Sequence, residues 1–164
     1  MRTYTSVQTK IGNIFIVMEE ESIAAVHIGE EDFSESENID LLKYDDEQPL
    51  LLKAAKQLEE YFSGERKEFD LPLREEGTAF QTKVWKELQA IPYGETRSYQ
   101  DVAIAIGNKK AVRAIGQANK ANKLPILIPC HRVIGKDKTL TGYAGKRINI
   151  KEELLLIEGS AFKR

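Results

Sequence analysis

The run Ile128-Pro129-Cys130-His131-Arg132-Val133-Ile134 sets the only cysteine of the chain directly before a histidine and an arginine. Thiolate is the reactive form of cysteine, and nearby cations favour it over the thiol. A cysteine beside an imidazole is therefore a candidate nucleophile and base, suited to substitution at an electrophilic carbon. Proline fixes its own φ and drives the residue before it toward extended backbone. Ile128-Pro129 accordingly reads as the end of a strand or extended run, with the thiol at a backbone bend. The competing reading is a small buried hydrophobe, which is what most lone cysteines are. A side chain adjacent in sequence often cannot turn back onto its neighbour, so proton transfer from Cys130 to His131 is expected to pass through water.

The rest of the composition narrows the chemistry. One cysteine rules out an internal disulfide and fits a reducing compartment, and two histidines leave a zinc site short of ligands. No metal or cofactor is expected. No apolar run reaches the roughly 18 residues of a membrane span, and Met1-Arg2-Thr3-Tyr4 does not resemble a secretory signal. A cytoplasmic protein away from membranes follows. The net charge of −2 hides a division. Residues 1–50 hold 12 acids and 3 bases, a balance of −9, whereas residues 101–164 hold 5 acids and 13 bases, a balance of +8. Such asymmetry points to a polyanionic partner for the second half, with a solvated basic surface as the alternative.

The elements that must position these residues follow from periodicity. Thr3–Thr9, Ile14–Met18 and Ile23–Ile28 read as strands, with Lys10-Ile11-Gly12-Asn13 as a hairpin turn. Residues 30–47 are acidic and poor in hydrophobics, which predicts a loop or poorly ordered connector. Pro49 opens a helix with Leu51, Leu52, Ala55, Leu58 and Phe62 on one face, ended by Gly64. Lys67–Leu73 is a candidate for return to the sheet. A boundary near residues 74–77 then divides a sheet-and-helix domain, 1–76, from a helical domain, 77–164.

In the second domain, Thr78-x-x-Gln81 and Ser98-x-x-Asp101 have the form of capping boxes. The first opens a helix to about Ala90, with Phe80, Val84, Trp85 and Leu88 apolar, which Ile91-Pro92-Tyr93-Gly94 breaks. The second opens a short helix that Gly107 ends. Asn108 is expected to cap a third helix over 109–121, so the last two form a helix-turn-helix. At 100° per residue, Ala111, Val112, Ile115 and Ala118 share one arc of that helix. Lys109, Lys110, Arg113, Gly116, Gln117 and Lys120 share the opposite one, which has four cations and no acid. A solvated face normally mixes Glu with Lys. This arc, with Ala114 beside it, is the candidate DNA-binding face, and Gly116 in it would permit close approach of a partner backbone.

Pro129-Cys130-His131-Arg132-Val133 also carries a resemblance. It is similar to the signature of the O6-alkylguanine-DNA alkyltransferases, the methylated-DNA–protein-cysteine methyltransferases. The likeness runs in order through Pro92-Tyr93-Gly94, Ser98-Tyr99, Arg113-Ala114-Ile115-Gly116, Asn122, Pro125–Ile134, Gly142-Tyr143 and Leu154-Leu155 to Glu158, about half the chain. It implies an α/β fold in two parts: an N-terminal mixed sheet of ribonuclease H-like arrangement, then a helical DNA-binding part. It implies irreversible, single-turnover transfer of an alkyl group from O6 of guanine, and from O4 of thymine, to Cys130. The partner would be double-stranded DNA containing alkylated guanine, bound by a monomer that is nucleoid-associated when on DNA.

The resemblance also assigns roles. Glu158 would orient His131, completing a Cys–water–His–Glu relay; otherwise it reads as a charged residue at a helix end. Tyr99 would donate a hydrogen bond to the leaving base; otherwise it is an aromatic core residue. Asn122 would hold the backbone of the active site. Arg113 would take the place of the extruded base, because the target carbon is inaccessible within the base stack. Val133–Tyr143 would form a loop over the pocket, with Val133, Tyr143 and the Ala144 amide lining it. Lys146-Arg147 replaces a pair that is usually small or apolar, which bears on pocket width. Three other readings compete. One is a lesion-recognition protein without chemistry, whose relatives carry tryptophan in place of the cysteine. The second is a Cys–His hydrolase. The third is a transcription factor using the helix-turn-helix alone, which leaves Cys130 and His131 without a task.

Overall fold

The computed structural model describes residues 2–140 and 148–163. The chain forms two compact units, Met1–Glu75 and Glu76–Arg164. In the first, β1 (Arg2–Thr9), β2 (Gly12–Glu19) and β3 (Ser22–Ile28) form an antiparallel meander. A short β4 (Leu42–Tyr44) pairs with β1 in parallel, giving the order β3-β2-β1-β4. Ile14, Ile16, Ile23 and Ile28 point into the core and are fully buried or nearly so.

Residues 30–47 are not an irregular connector. They form α1 (Glu30–Ser36), a 3-10 turn (Ile39–Leu41) and β4. Two anchors offset the acidic composition. Phe33 stacks on Phe15 with ring centroids 4.2 Å apart, and Glu37 meets Arg2 at 2.8 Å and His27 at 2.7 Å. The face of α2 (Pro49–Phe62) also differs from expectation: Leu51, Ala54, Leu58 and Tyr61 are buried, whereas Leu52 is exposed. Lys67–Leu73 returns to the sheet through one bridge only, Leu73 beside Ile23.

The second unit packs three helices, α3 (Ala79–Gln89), α4 (Tyr99–Ala105) and α5 (Val112–Lys120), around Trp85, Leu88, Val102 and Ile115. Both capping boxes are present, at Thr78 with Gln81 and at Ser98 with Asp101. The Trp85 indole N–H donates to the carbonyl of Ala118 at 2.9 Å, tying α3 to α5. A two-stranded parallel sheet, β5 (Arg97–Ser98) with β6 (Val133–Ile134), and α6 (Ile148–Glu158) complete the unit. No helix among the described residues is long and apolar enough to cross a membrane.

Candidate active site and DNA-binding face

Cys130 opens a 3-10 turn, Cys130–Arg132, that is buried throughout. The backbone before it is a tight turn, not a strand end. Pro129 has φ −78° and ψ 64°, and the Cys130 N–H donates to the Ile128 carbonyl at 2.7 Å. That is an inverse γ-turn, which proline's fixed φ supports. One turn earlier, the Ile128 N–H donates to the Leu124 carbonyl at 2.8 Å and Ile126 adopts φ 75°. A β-branched residue in the left-handed region is strained, and such strain persists only where surrounding contacts hold it.

Asn122 supplies much of that hold. Its Nδ2 donates to the Ile128 carbonyl at 3.0 Å and lies 3.2 Å from Cys130 Sγ, while its Oδ1 accepts the Leu124 N–H at 2.9 Å. One side chain thus staples both ends of the turn and touches the thiol. Asn119, on α5, donates from Nδ2 to the Cys130 carbonyl at 3.2 Å.

His131 is fully buried, and its Nε2 lies 2.6 Å from Glu158 Oε2. Glu158 ends α6, and Arg132 grips the same carboxylate through Nε at 2.8 Å and a terminal nitrogen at 3.1 Å. The other terminal nitrogen of Arg132 donates to the Ile91 carbonyl at 2.7 Å. Burial alone would raise the pKa of Glu158, but the charge His131 gains at low pH, its hydrogen bond and the Arg132 guanidinium bring it down to about 2. Burial lowers the pKa of His131, and the Arg132 and Lys151 charges act in the same direction against Glu158. The imidazole is therefore neutral near pH 7 beside an ionised carboxylate. A carboxylate only accepts, so Nε2 carries the proton and Nδ1 keeps its lone pair. Glu158 fixes the tautomer that makes His131 a base.

Arg132 is thus occupied with Glu158. Among the described residues, a cation whose charge couples to Cys130 is Lys151 of α6, whose Nζ donates to the Val133 carbonyl at 2.6 Å. It is fully buried, and burial lowers its pKa to about 8 against the opposing pull of Cys130. Neither Lys151 nor Asn119 was singled out from the sequence. Lys151, Leu154, Leu155 and Glu158 follow i, i+3, i+4, i+7 spacing, and two charged residues on an apolar helical stripe were the available signal.

The other predicted residues fall into groups. Tyr99 is the first residue of α4 and faces α5: a Cβ built on Gly116 would lie 4.0 Å from the Tyr99 ring. The glycine therefore lies against the tyrosine as well as on the predicted outer arc. Arg113, Ala114, Gln117 and Lys120 are exposed on α5. Lys109 and Lys110 are exposed but precede the helix, which starts at Val112 instead of 109. Asn108 closes α4 instead of opening α5: its N–H donates to the Ala103 carbonyl at 2.9 Å, behind Gly107 at φ 80°. The buried arc of α5 includes Asn119, while Val112, expected inside, is 37% exposed. Val133 lies in β6 instead of a loop, is buried and contributes its carbonyl to Lys151. Tyr143, Ala144 and Lys146-Arg147 lie outside the described residues.

Comparison with known proteins agrees with this geometry. Residues 79–160 match the family model for the 6-O-methylguanine DNA methyltransferase DNA binding domain, and residues 3–74 match that for its ribonuclease-like domain. The constitutive methylated-DNA–protein-cysteine methyltransferase of Bacillus subtilis is 51% identical over 163 residues, 99% of each chain. The crystal structure of the Mycobacterium tuberculosis O6-methylguanine methyltransferase superposes with a TM-score of 0.87 at 40% identity, covering 97% of this chain and 93% of that one. The M. tuberculosis OGT in complex with DNA gives a TM-score of 0.86 at 39% identity, covering 96% and 92%. With both units matched and a relative aligned end to end, the chain belongs to the 6-O-methylguanine DNA methyltransferase family.

Proposed function

We propose that this protein repairs duplex DNA directly, transferring the alkyl group from O6 of guanine, and from O4 of thymine, to Cys130 in one irreversible turnover. The observation that carries the reading is the buried line of contacts around Cys130: Asn122 at the sulfur, and His131 held as a neutral base by Glu158. His131 Nδ1 takes the thiol proton through a water molecule, and the Lys151 charge favours the thiolate that remains. The sulfur attacks the alkyl carbon, the S–C bond forms and the C–O6 bond breaks. The electron pair of the broken bond stays on guanine, where the Tyr99 phenol donates a hydrogen bond and limits the charge.

The base must leave the stack to reach a buried sulfur, so the nucleotide is extruded. The exposed face of α5 enters the duplex, Arg113 fills the space of the lost base, and Lys109, Lys110 and Lys120 meet phosphates. Gly116, Gln117 and Ala114 complete that face. A thiol that must stay reduced suits the cytoplasm, with the protein on the nucleoid when bound. The test is mass spectrometry after incubation with duplex containing O6-methylguanine. One added methyl group on the Cys130 peptide supports the reading; unmodified Cys130 beside binding of the lesion would leave recognition without chemistry.

A further inference from the structure

Two asparagines close on the Cys130 turn from the end of α5. Asn122, whose N–H donates to the Asn119 carbonyl at 3.3 Å, reaches the sulfur. Asn119 reaches the backbone instead, and only half of its side chain is used. The residue is 9% exposed, and its Nδ2 donates to the Cys130 carbonyl at 3.2 Å. Its Oδ1 is buried as well and accepts from no protein donor among the described residues. A buried acceptor without a donor is costly, and one that persists in a folded protein calls for an explanation.

Chemistry fixes which way this amide points. A carbonyl oxygen only accepts, so the NH2 end must face Cys130, and Oδ1 cannot turn to it. The support is rigid. The neighbouring Ala118 carbonyl is held by the Trp85 indole at 2.9 Å, and Asn122 is tied to the Cys130 turn through Ile128, Leu124 and the sulfur. Asn119 thus holds an unused acceptor against the residue that carries the nucleophile. The relay from Cys130 to His131 has the complementary need. A buried water typically makes about three hydrogen bonds. The relay water accepts the thiol S–H and donates one hydrogen to His131 Nδ1, so its second hydrogen needs an acceptor. Asn122 cannot supply one, because its Nδ2 faces the sulfur and its Oδ1 takes the Leu124 N–H. Both oxygens of Glu158 are engaged by His131 and Arg132.

We propose that Asn119 Oδ1 is that acceptor, which makes Asn119 a positioning residue for proton transfer from Cys130 to His131. The inference rests on the function proposed above and adds a residue to its proton path. As the S–H bond breaks, the thiol proton passes to the water oxygen and a water hydrogen passes to His131 Nδ1. The hydrogen held by Asn119 stays where it is. Sulfur keeps the electron pair as thiolate, and the imidazole becomes imidazolium. A water tethered by the hydrogen that does not move keeps the other two transfers in line.

The test follows methyl transfer from free O6-methylguanine across pH in wild type, N119L, H131A and N119L/H131A. Leucine is close to asparagine in size but accepts no hydrogen bond. Transfer by N119L should fall about tenfold near pH 7, and the deficit should close at high pH, where the thiol ionises unaided. In the H131A background the same substitution should cost less than about twofold, because the path it serves is already gone. A deficit that is constant over pH, or the same in both backgrounds, would mean that Asn119 only supports the turn, and would overturn the proposal. So would a deficit that vanishes with O6-methylhypoxanthine, which lacks the 2-amino group, since Oδ1 would then serve the base. If N119L loses the native Trp85 fluorescence, N119A carries the same expectations. Alkylation of Cys130 by iodomethane needs no guanine: its pH midpoint should rise by about one pH unit in the variant, and an unchanged midpoint would overturn the proposal. Failure of wild-type protein to take a methyl group from O6-methylguanine would refute the proposed function, while the iodomethane profile still reads Asn119.

Discussion

Glu158→Gln removes the charge that the buried His131–Glu158–Arg132 cluster is built on. Glutamine keeps the shape, so the perturbation is electrostatic. The carboxyl moves from its ordinary 4.5 to about 2 in the folded chain; part of that comes from a charge His131 carries only at lower pH, so the stability at stake at neutral pH is at most about 3 kcal/mol. An independent argument agrees in size: Arg132 is buried, and stripping one partner from a buried pair costs about 3–5 kcal/mol. The sign over pH follows from the depressed value. The stabilisation is complete above the unfolded pKa and is lost as pH falls through the folded one. The gap between wild type and variant should thus shrink from at most about 3 kcal/mol near pH 7 to about half that near pH 3. Trp85 is the only tryptophan and is buried in the second unit, so its fluorescence during urea unfolding reports that unit selectively. A gap that stays constant over this pH range, or one under about 1 kcal/mol at neutral pH, would refute the electrostatic account.

Cys130→Ser should abolish alkyl transfer while retaining affinity for lesion duplex; a serine variant that transfers at near the wild-type rate would remove the thiolate from the mechanism. His131→Ala should slow transfer with partial recovery at high pH, where the thiol ionises unaided; a flat profile would place the histidine outside the proton path. Arg113→Ala should impair duplex repair more than reaction with free alkylguanine, measured as rates on the two substrates, and equal losses would assign Arg113 to the chemistry or the fold. In the first unit, burial lowers the pKa of His27, but Asp32 and Glu37 outweigh it and leave it raised above 6.5. Its clamp on α1 is therefore complete below 6.5 and is released as pH rises through the folded value. Hydrogen exchange of α1, corrected for intrinsic rates, should quicken from mildly acidic to alkaline pH in wild type but not in His27→Asn; equal behaviour in both would contradict the clamp.

Local signals were legible in the sequence wherever the physics is local. The three-strand meander follows from β-rich runs joined by short turns, and both capping boxes from side chains that reach only three residues. α1 was not legible, because what holds its acids is a stack between Phe33 and Phe15 and ion pairs of Glu37 to Arg2 of β1 and His27 of β3. Asn108 read as a helix opener because asparagine favours caps, yet its backbone is used to close the preceding helix. Around the thiol, adjacency pointed to His131 and resemblance to Glu158 and Asn122; the structure places Asn122 at the sulfur and Glu158 on His131. Asn119 and Lys151 passed unnoticed because their partners are backbone carbonyls 11 and 18 residues away, which no side-chain spacing encodes. Arg132 looked like an activator of its neighbour by adjacency; its side chain turns instead to Glu158 and Ile91.

The central claim is that Cys130 is consumed by the reaction. A thioether has no good leaving group, and the chain holds no second cysteine to accept the methyl. The most direct measurement is a titration of duplex containing O6-methylguanine against a known amount of active protein, with repaired guanine and Cys130 methylation counted together. The account predicts that both plateau at one per protein molecule. Repair that continues in proportion to added DNA, with Cys130 unmodified, would contradict it.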